Sequence, residues 1–392
     1  MAKIFTKLNI GDVTYSSGGK CFKRLMQKTP LADIWYEGDI STTNFRDIET
    51  VKLDDERILL VFRTTGSTYK TKAVVLKLGE TLTIGTEVTL ATDISNASAS
   101  IYPDAVLLSN NKVLVTFETC SSSSSSPHKV AVLTIDDTNI TVSTSITLSN
   151  ANYAQSRLAV LTENTAMITY INSNGYLCGS VLTIGDTNIT VGTEKSITYA
   201  HSGNNVSAVA LTNSKVFIHN NNYYRSSSYS PYEARGHNRV LTVSEDTITS
   251  GSAVYDSFYI GGDNPLRLTD EKVFDVYLKY DSMYKLAARV VNINETTPTL
   301  CTETLCVNAK ITRPSVIKIN DNQALATYVN QSNSNYGYVI KLTADNDIVT
   351  AGDEIVFNEL STTACSSVLL ANGKALVIYS DKNGTHYKTI QV

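Results

Sequence analysis

One segment recurs seven times along the chain, and that recurrence limits the fold more than any other feature. It reads LDDERILLVF from Leu53, LSNNKVLVTF from Leu108, LTENTAMITY from Leu161 and LTNSKVFIH from Leu211. It returns as LTDEKVFDVY from Leu268, INDNQALATY from Ile319 and LANGKALVIY from Leu370, with successive starts 50 to 57 residues apart. Between these copies lies a second repeat: a strand, a tight turn of Asp, Asn, Glu or Gly, and another strand. Its clearest forms are KLGETLTIGTEVTL from Lys77, TIDDTNITVSTSITL from Thr134 and TIGDTNITVGTEKSITY from Thr183. Fainter ones follow from Thr242, Asn292 and Lys341. Apolar residues in NITV and EVTL alternate with period two, as half-buried strands require, and the 3.6-residue spacing of a helical array is missing. Seven units, each holding four short strands, predict an all-β fold: a seven-bladed β-propeller.

The register also predicts how the ring closes. The last unit reaches Val392 after its third strand, so its outer strand must come from elsewhere. Residues Asp33 to Ile40, DIWYEGDI, stand before Leu53 where Thr141 to Leu148 stand before Leu161. Residues 33–40 are therefore the expected closing strand, with Trp35 a packing residue rather than a ligand platform, joining the chain ends and leaving no open sheet edge. This divides the chain into an N-terminal segment, 1–28, and a propeller, 29–392.

Composition agrees and excludes several function classes. Charged residues make up 18% of the chain, net charge is -4 and no basic run exists, which argues against a nucleic-acid partner. No stretch approaches the roughly 18 apolar residues of a membrane helix, so no membrane partner is expected. Met1 to Asp12 lacks the apolar centre of a secretory signal, which predicts synthesis in a cytoplasm without ordinary export. The six cysteines, Cys21, Cys120, Cys178, Cys301, Cys306 and Cys365, fit no zinc spacing and are expected to be reduced, mostly buried thiols.

The sequence treats the two faces of such a ring differently. Turns between first and second strands (DDE, SNNK, TNSK, ANGK) and between third and fourth (DDTN, GDTN, SEDT, ADND) are short. Asp and Asn suit them because they tolerate left-handed backbone and bond their own chain. No such turn gathers three carboxylates, so no metal is expected. The opposite face carries long connections rich in Tyr, Ser and Asn: TCSSSSSSPHK from Thr119, HNNNYYRSSSYSPYEARGHN from His219, LKYDSMYK from Leu278 and NQSNSNYGY from Asn330. That mixture supplies rigid amphipathic area and adaptable hydrogen bonds. The candidate ligand-binding residues are Tyr223, Tyr224, Arg225, Tyr229, Tyr232, Tyr280, Tyr284 and Tyr336.

Catalytic signatures are missing. None of the five histidines sits in a metal or triad motif, no phosphate-binding glycine loop occurs, and the Trp-ending Asp-box of sialidase propellers is absent. Glu49, Asp104 and Arg157 fall on or near inner strands, where such residues are ordinarily salt-bridged or solvated. The expectation is a binding protein, not an enzyme, with no cofactor.

The opening KLNIGDVTYSSGGKCFKRL, from Lys7, resembles the N-terminal segment of tail-fibre and baseplate-associated proteins from phages of Gram-positive, especially clostridial, bacteria, and of related phage-tail-like bacteriocins. The Thr- and Asn-rich blade repeats are similar to those of phage-encoded propellers. The resemblance implies a virion component whose N-terminal segment docks onto other tail proteins. It further implies a propeller displayed outward toward a host surface glycan or protein. A purely structural bracing protein and a cytoplasmic interaction scaffold are the alternatives, although no recurrent Trp-Asp or Gly-Gly signature supports the scaffold.

Overall fold

The structure, a computed structural model, describes residues 7–10, 13–18, 21–26 and 35–392, apart from 66–68, 95–102, 110, 119–125, 152–155, 186–187, 200–205, 225–232, 257–259 and 281. Seven antiparallel sheets follow one another around a ring, with inner strands starting at Phe45, Asp104, Arg157, Val206, Ile260, Ile311 and Ala364. These sheets are blades 1 to 7 of a β-propeller. Three further strands, Lys7–Ile10, Val13–Gly18 and Cys21–Met26, form a separate antiparallel meander that joins no blade.

Closure uses the expected part of the chain. Glu37–Ser41 pairs antiparallel with Gly384–Gln391, from Lys388 opposite Glu37 to Thr385 opposite Ser41. Asp33 and Ile34 lie outside the described residues. The seam is extended by the Tyr36 amide, which donates to Thr389 Oγ1 at 2.9 Å, and by the Thr389 amide, which donates to the Tyr36 carbonyl at 2.8 Å. Gly38 is required here, because a Cβ would lie 2.7 Å from the Tyr387 hydroxyl oxygen. The expectation for Trp35 needs correcting: its ring is 58% exposed and packs under the Lys374 ammonium, 4.1 Å from the ring centroid. Trp35 precedes the closing strand at the short-turn face, where no neighbouring sheet covers it. A cation over the ring takes the place of burial.

Packing is concentrated between blades. Each of the seven interfaces holds its own apolar cluster among the described residues. At the join of blades 7 and 1, for example, Phe45 and Phe62 stack with centroids 3.6 Å apart beside Leu376 and Ile378. Second strands are covered on both sides, so Arg57–Thr64 is buried at every residue after its first. That is why ILLVF reads as a continuous apolar run, while the outer NITV keeps its alternation.

The repeated Leu or Ile that starts each sequence motif has a specific local cause. In blades 2 to 6 the ladder between first and second strands slips at Leu108, Leu161, Leu211, Leu268 and Ile319. Each is the extra residue of a β-bulge, and a bulge re-aims the side chain it carries. The four Leu are buried, and Ile319 packs partly buried against the cluster between blades 6 and 7. The short third-to-fourth turns place Asp137, Glu245, Glu295 and Asn346 at φ 52 to 55°. A left-handed first turn residue gives the hairpin the twist of its strands. Among the described cysteines, Cys178 and Cys365 are buried free thiols, and Cys301 and Cys306 are partly buried free thiols.

Candidate binding face

Second-to-third connections and the straps leaving each outer strand share one face. Among the described residues, blade 4 has the longest second-to-third strand pairing on it. Its second and third strands, Lys215–Tyr224 and Glu233–Ser244, pair over ten positions, against nine in blade 5, eight in blades 6 and 7, and seven in blades 1, 2 and 3. Three extra pairs lengthen the hairpin by about 10 Å. The stretch from His219 expected as a loop is therefore largely strand: Tyr223 stands opposite Ala234 and Tyr224 opposite Glu233. Arg225, Tyr229 and Tyr232 lie outside the described residues.

Blade 5 carries Tyr280 and Tyr284 as register partners flanking its turn, with ring centroids 5.1 Å apart and Tyr280 48% exposed. Tyr336 opens the third strand of blade 6, partly buried, with its amide donating to the Asn333 carbonyl at 2.9 Å. It stands one blade beyond the group that follows. Three tyrosines not anticipated from sequence join this face. Tyr176 and Tyr199 are cross-strand partners in blade 3, edge to face at 5.4 Å, and Tyr255 ends the outer strand of blade 4 against buried His237 at 4.6 Å. The four exposed tyrosines among the described residues, Tyr176, Tyr199, Tyr255 and Tyr280, thus all belong to one face of three consecutive blades. In sequence Tyr176, Tyr199 and Tyr255 sit in unremarkable strand ends, and only the pairing register brings them to this face.

Beneath this rim, blades 4 and 5 are joined by a buried ionic network. Arg289, on the third strand of blade 5, donates through Nη1 and Nη2 to the two oxygens of Asp256, the second bond at 2.9 Å. It also donates to Asp275 Oδ2 through Nε at 3.1 Å and Nη2 at 3.0 Å. His219 lies 3.8 Å from the same oxygen, and Asn238 Nδ2 donates to Asp256 Oδ2 at 3.0 Å. Burial opposes ionisation of Asp275, but the charge of Arg289, with His219 close by, outweighs it and holds the carboxyl below its ordinary range. The guanidinium also lies over the Tyr277 ring at 4.9 Å, and Tyr277 donates to Glu303 at 2.5 Å. Gly236 is fixed by this packing: a Cβ would fall 2.7 Å from Asp256 Oδ2 and 2.8 Å from His219 Nε2.

The inner strands present a second polar feature. Glu49, Asp104, Arg157, Ser207, Asn264, Ser315 and Ser366 occupy one register position, each opposite the corresponding residue of its second strand. Neighbouring members touch, since Ser315 Oγ lies 3.3 Å from Ser366 Oγ, and Asp104 Oδ2 accepts the Leu158 amide at 2.7 Å. Glu49 is partly exposed, yet loss of water around it, reinforced by the Asp104 charge and opposed by Arg157, raises its carboxyl to about 8. The three residues singled out from sequence are thus electrostatically linked.

The sequence matches no protein family and no curated protein. Solved structures do resemble the chain. A hypothetical selenium-binding protein from Sulfolobus tokodaii aligns over 83% of this chain and 78% of its own, at 7% identity and TM-score 0.50. The NanB sialidase of Streptococcus pneumoniae aligns over 92% and 70%, at 11% identity and TM-score 0.49. A protein of unknown function from Dyadobacter fermentans aligns over 82% and 96%, at 12% identity and TM-score 0.44. The likeness to the Sulfolobus protein speaks for the propeller fold and for nothing beyond it.

Proposed function

We propose that this propeller is a phage tail or baseplate component that attaches to the host cell surface through its long-connection face, centred on blades 3 to 5. One observation carries the reading: the exposed tyrosines among the described residues are gathered on that face, around the hairpin with the longest described pairing. Solvent-facing tyrosines add no core, and aromatic residues are enriched where proteins meet partners. Tyr rings stack on the apolar faces of sugars, so a cell-wall glycan or a surface protein is the partner. The N-terminal segment, 1–28, whose described strands pair only with one another, docks the protein onto other tail proteins. Binding needs neither catalysis nor a cofactor. The test is sedimentation of fluorescently labelled protein with clostridial cell walls. Saturable binding supports attachment, and protein that stays in the supernatant with every wall preparation refutes it.

A bracing role is favoured by a different observation. The outer strand of blade 6, Ile348–Asn358, leaves Ile348, Ile355 and Val356 exposed on the ring's circumference. Exposed apolar side chains there suit lateral contact with a neighbouring subunit. Particles assembled with Ile355→Lys would then lose this protein while its wall binding persisted.

A further inference from the structure

Blade 7 has the shortest second-to-third connection of the ring, only Lys382 and Asn383 between the paired Asp381 and Gly384. Blade 6 rises beside it on a longer connection, residues 331–335, and blade 1 flanks the other side through Asn44, Arg46 and Thr65. A recess of about 420 Å³ opens between them. Its walls are tied by backbone bonds. The Thr362 amide donates to the Asn335 carbonyl at 2.8 Å, Gln331 to Lys310 at 2.8 Å and Thr65 to Asn44 at 3.2 Å. Ser334 and Asn335, at φ 51 and 60°, turn the blade 6 connection over the recess.

The side chains facing this space are unusual in what they leave unused. Asn44, Arg46, Thr312, Gln331, Asn335 and Ser361 line it. Among the described residues none of these six makes a side-chain hydrogen bond or ion pair, although the surrounding turns are closely bonded. Among the described residues, Arg46 is the one charged residue lining the recess, and no carboxylate does. A fixed concavity of this volume lies within the range of small-molecule sites, about 300–1,000 Å³. An unpaired guanidinium selects a carboxylate or phosphate through its planar fork, while amides and hydroxyls match a polyol by donating and accepting.

We propose that this recess binds a small hydroxylated anion, a sugar or polyol carrying one carboxylate or one phosphate group. The anionic end meets Arg46, and the hydroxyls meet Asn44, Gln331, Asn335, Thr312 and Ser361. The site belongs to blades 6, 7 and 1, apart from the tyrosine rim of blades 3 to 5, and does not depend on what that rim binds.

The test is titration of the full chain with glucuronate, glucose 1-phosphate and glucose, followed by ligand-observed NMR and calorimetry, for the parent and Arg46→Gln. The recess account predicts that at least one of the two anions binds, with glucose about tenfold weaker or more, a gap of roughly 1.4 kcal/mol. Arg46→Gln should erase that preference while the melting temperature stays unchanged. Which anion binds better assigns the carboxylate or the phosphate as the natural end group. Should Arg46→Gln melt lower, Arg46→Lys keeps the charge without the fork and should retain a reduced preference for the anion. The proposal is overturned if glucose binds as well as both anions, if none binds at roughly 20 mM, or if Arg46→Gln keeps the anion preference. Cell-wall sedimentation plays no part in this readout, so either proposal can fail while the other stands.

Discussion

Arg289 of blade 5 grips both carboxylate oxygens of Asp256, a residue on the strap that leaves blade 4. The same guanidinium reaches Asp275 within its own blade, and all three side chains are at most 3% exposed. One cation thus ties neighbouring blades directly beneath the tyrosine rim. Its worth lies less in attraction than in what its loss would leave behind, two carboxylates in a dry interface.

Replacing Arg289 with Met should therefore cost about 3–5 kcal/mol, the usual penalty for stranding buried charge. The measurement is the chemical denaturation midpoint. Adding Asp256→Asn and Asp275→Asn to Arg289→Met should recover part of the loss, because the stranded charges are then gone. A single Arg289→Met variant as stable as the parent would show that water enters this interface.

Glu49 gives a pH prediction whose sign is fixed. Its carboxyl rises from an ordinary 4.5 to about 8 in the folded chain, so between these values the folded state keeps a proton that the unfolded state releases. The associated stability is fully present below pH 4.5 and is lost as pH rises through 8. Glu49→Gln cannot titrate. Its melting temperature should gain on the parent by roughly 1–3 °C between pH 5 and pH 9. A constant difference across that interval would mean that Glu49 is ionised in the fold.

The propeller was legible because its repeat is carried by residues with simple duties. In blades 2 to 6 the recurrent Leu and Ile are bulge residues turned into blade interfaces, and the Asp, Glu and Asn of the third-to-fourth turns adopt left-handed backbone. Closure followed from register alone. The binding face was only half legible. Tyr280 and Tyr284 announced themselves by flanking a turn. Tyr176 and Tyr199 are 23 residues apart and become neighbours only through strand pairing. The network at Arg289 was hidden for the same reason, since Asp256, Asp275 and Arg289 share no motif and meet across two blades. Trp35 was misplaced because register gives the strand but not whether a neighbouring sheet covers its first residues.

Ring closure makes a paired prediction. Removing Glu37–Ser41 strips the partner from Gly384–Gln391 and exposes a sheet edge, so the shortened chain should melt lower and aggregate in a concentration-dependent way. Removing residues 1–28 takes away strands that pair with no blade and should leave melting within about 2 °C of the parent, as expected where few contacts are lost. Thermal scans with light scattering read both, and equal behaviour of the two deletions would refute the pairing.

The central proposal, attachment through the tyrosines of blades 3 to 5, is tested most directly at the exposed rings themselves. The measurement is the sedimentation affinity for clostridial cell walls of a variant carrying Tyr176→Ser, Tyr199→Ser, Tyr255→Ser and Tyr280→Ser, alongside its denaturation midpoint. Single interface residues are commonly worth about 1–2 kcal/mol. The proposal therefore predicts at least a hundredfold loss of wall affinity, about 2.7 kcal/mol, with the denaturation midpoint nearly unchanged. Undiminished wall binding by this folded variant would contradict it.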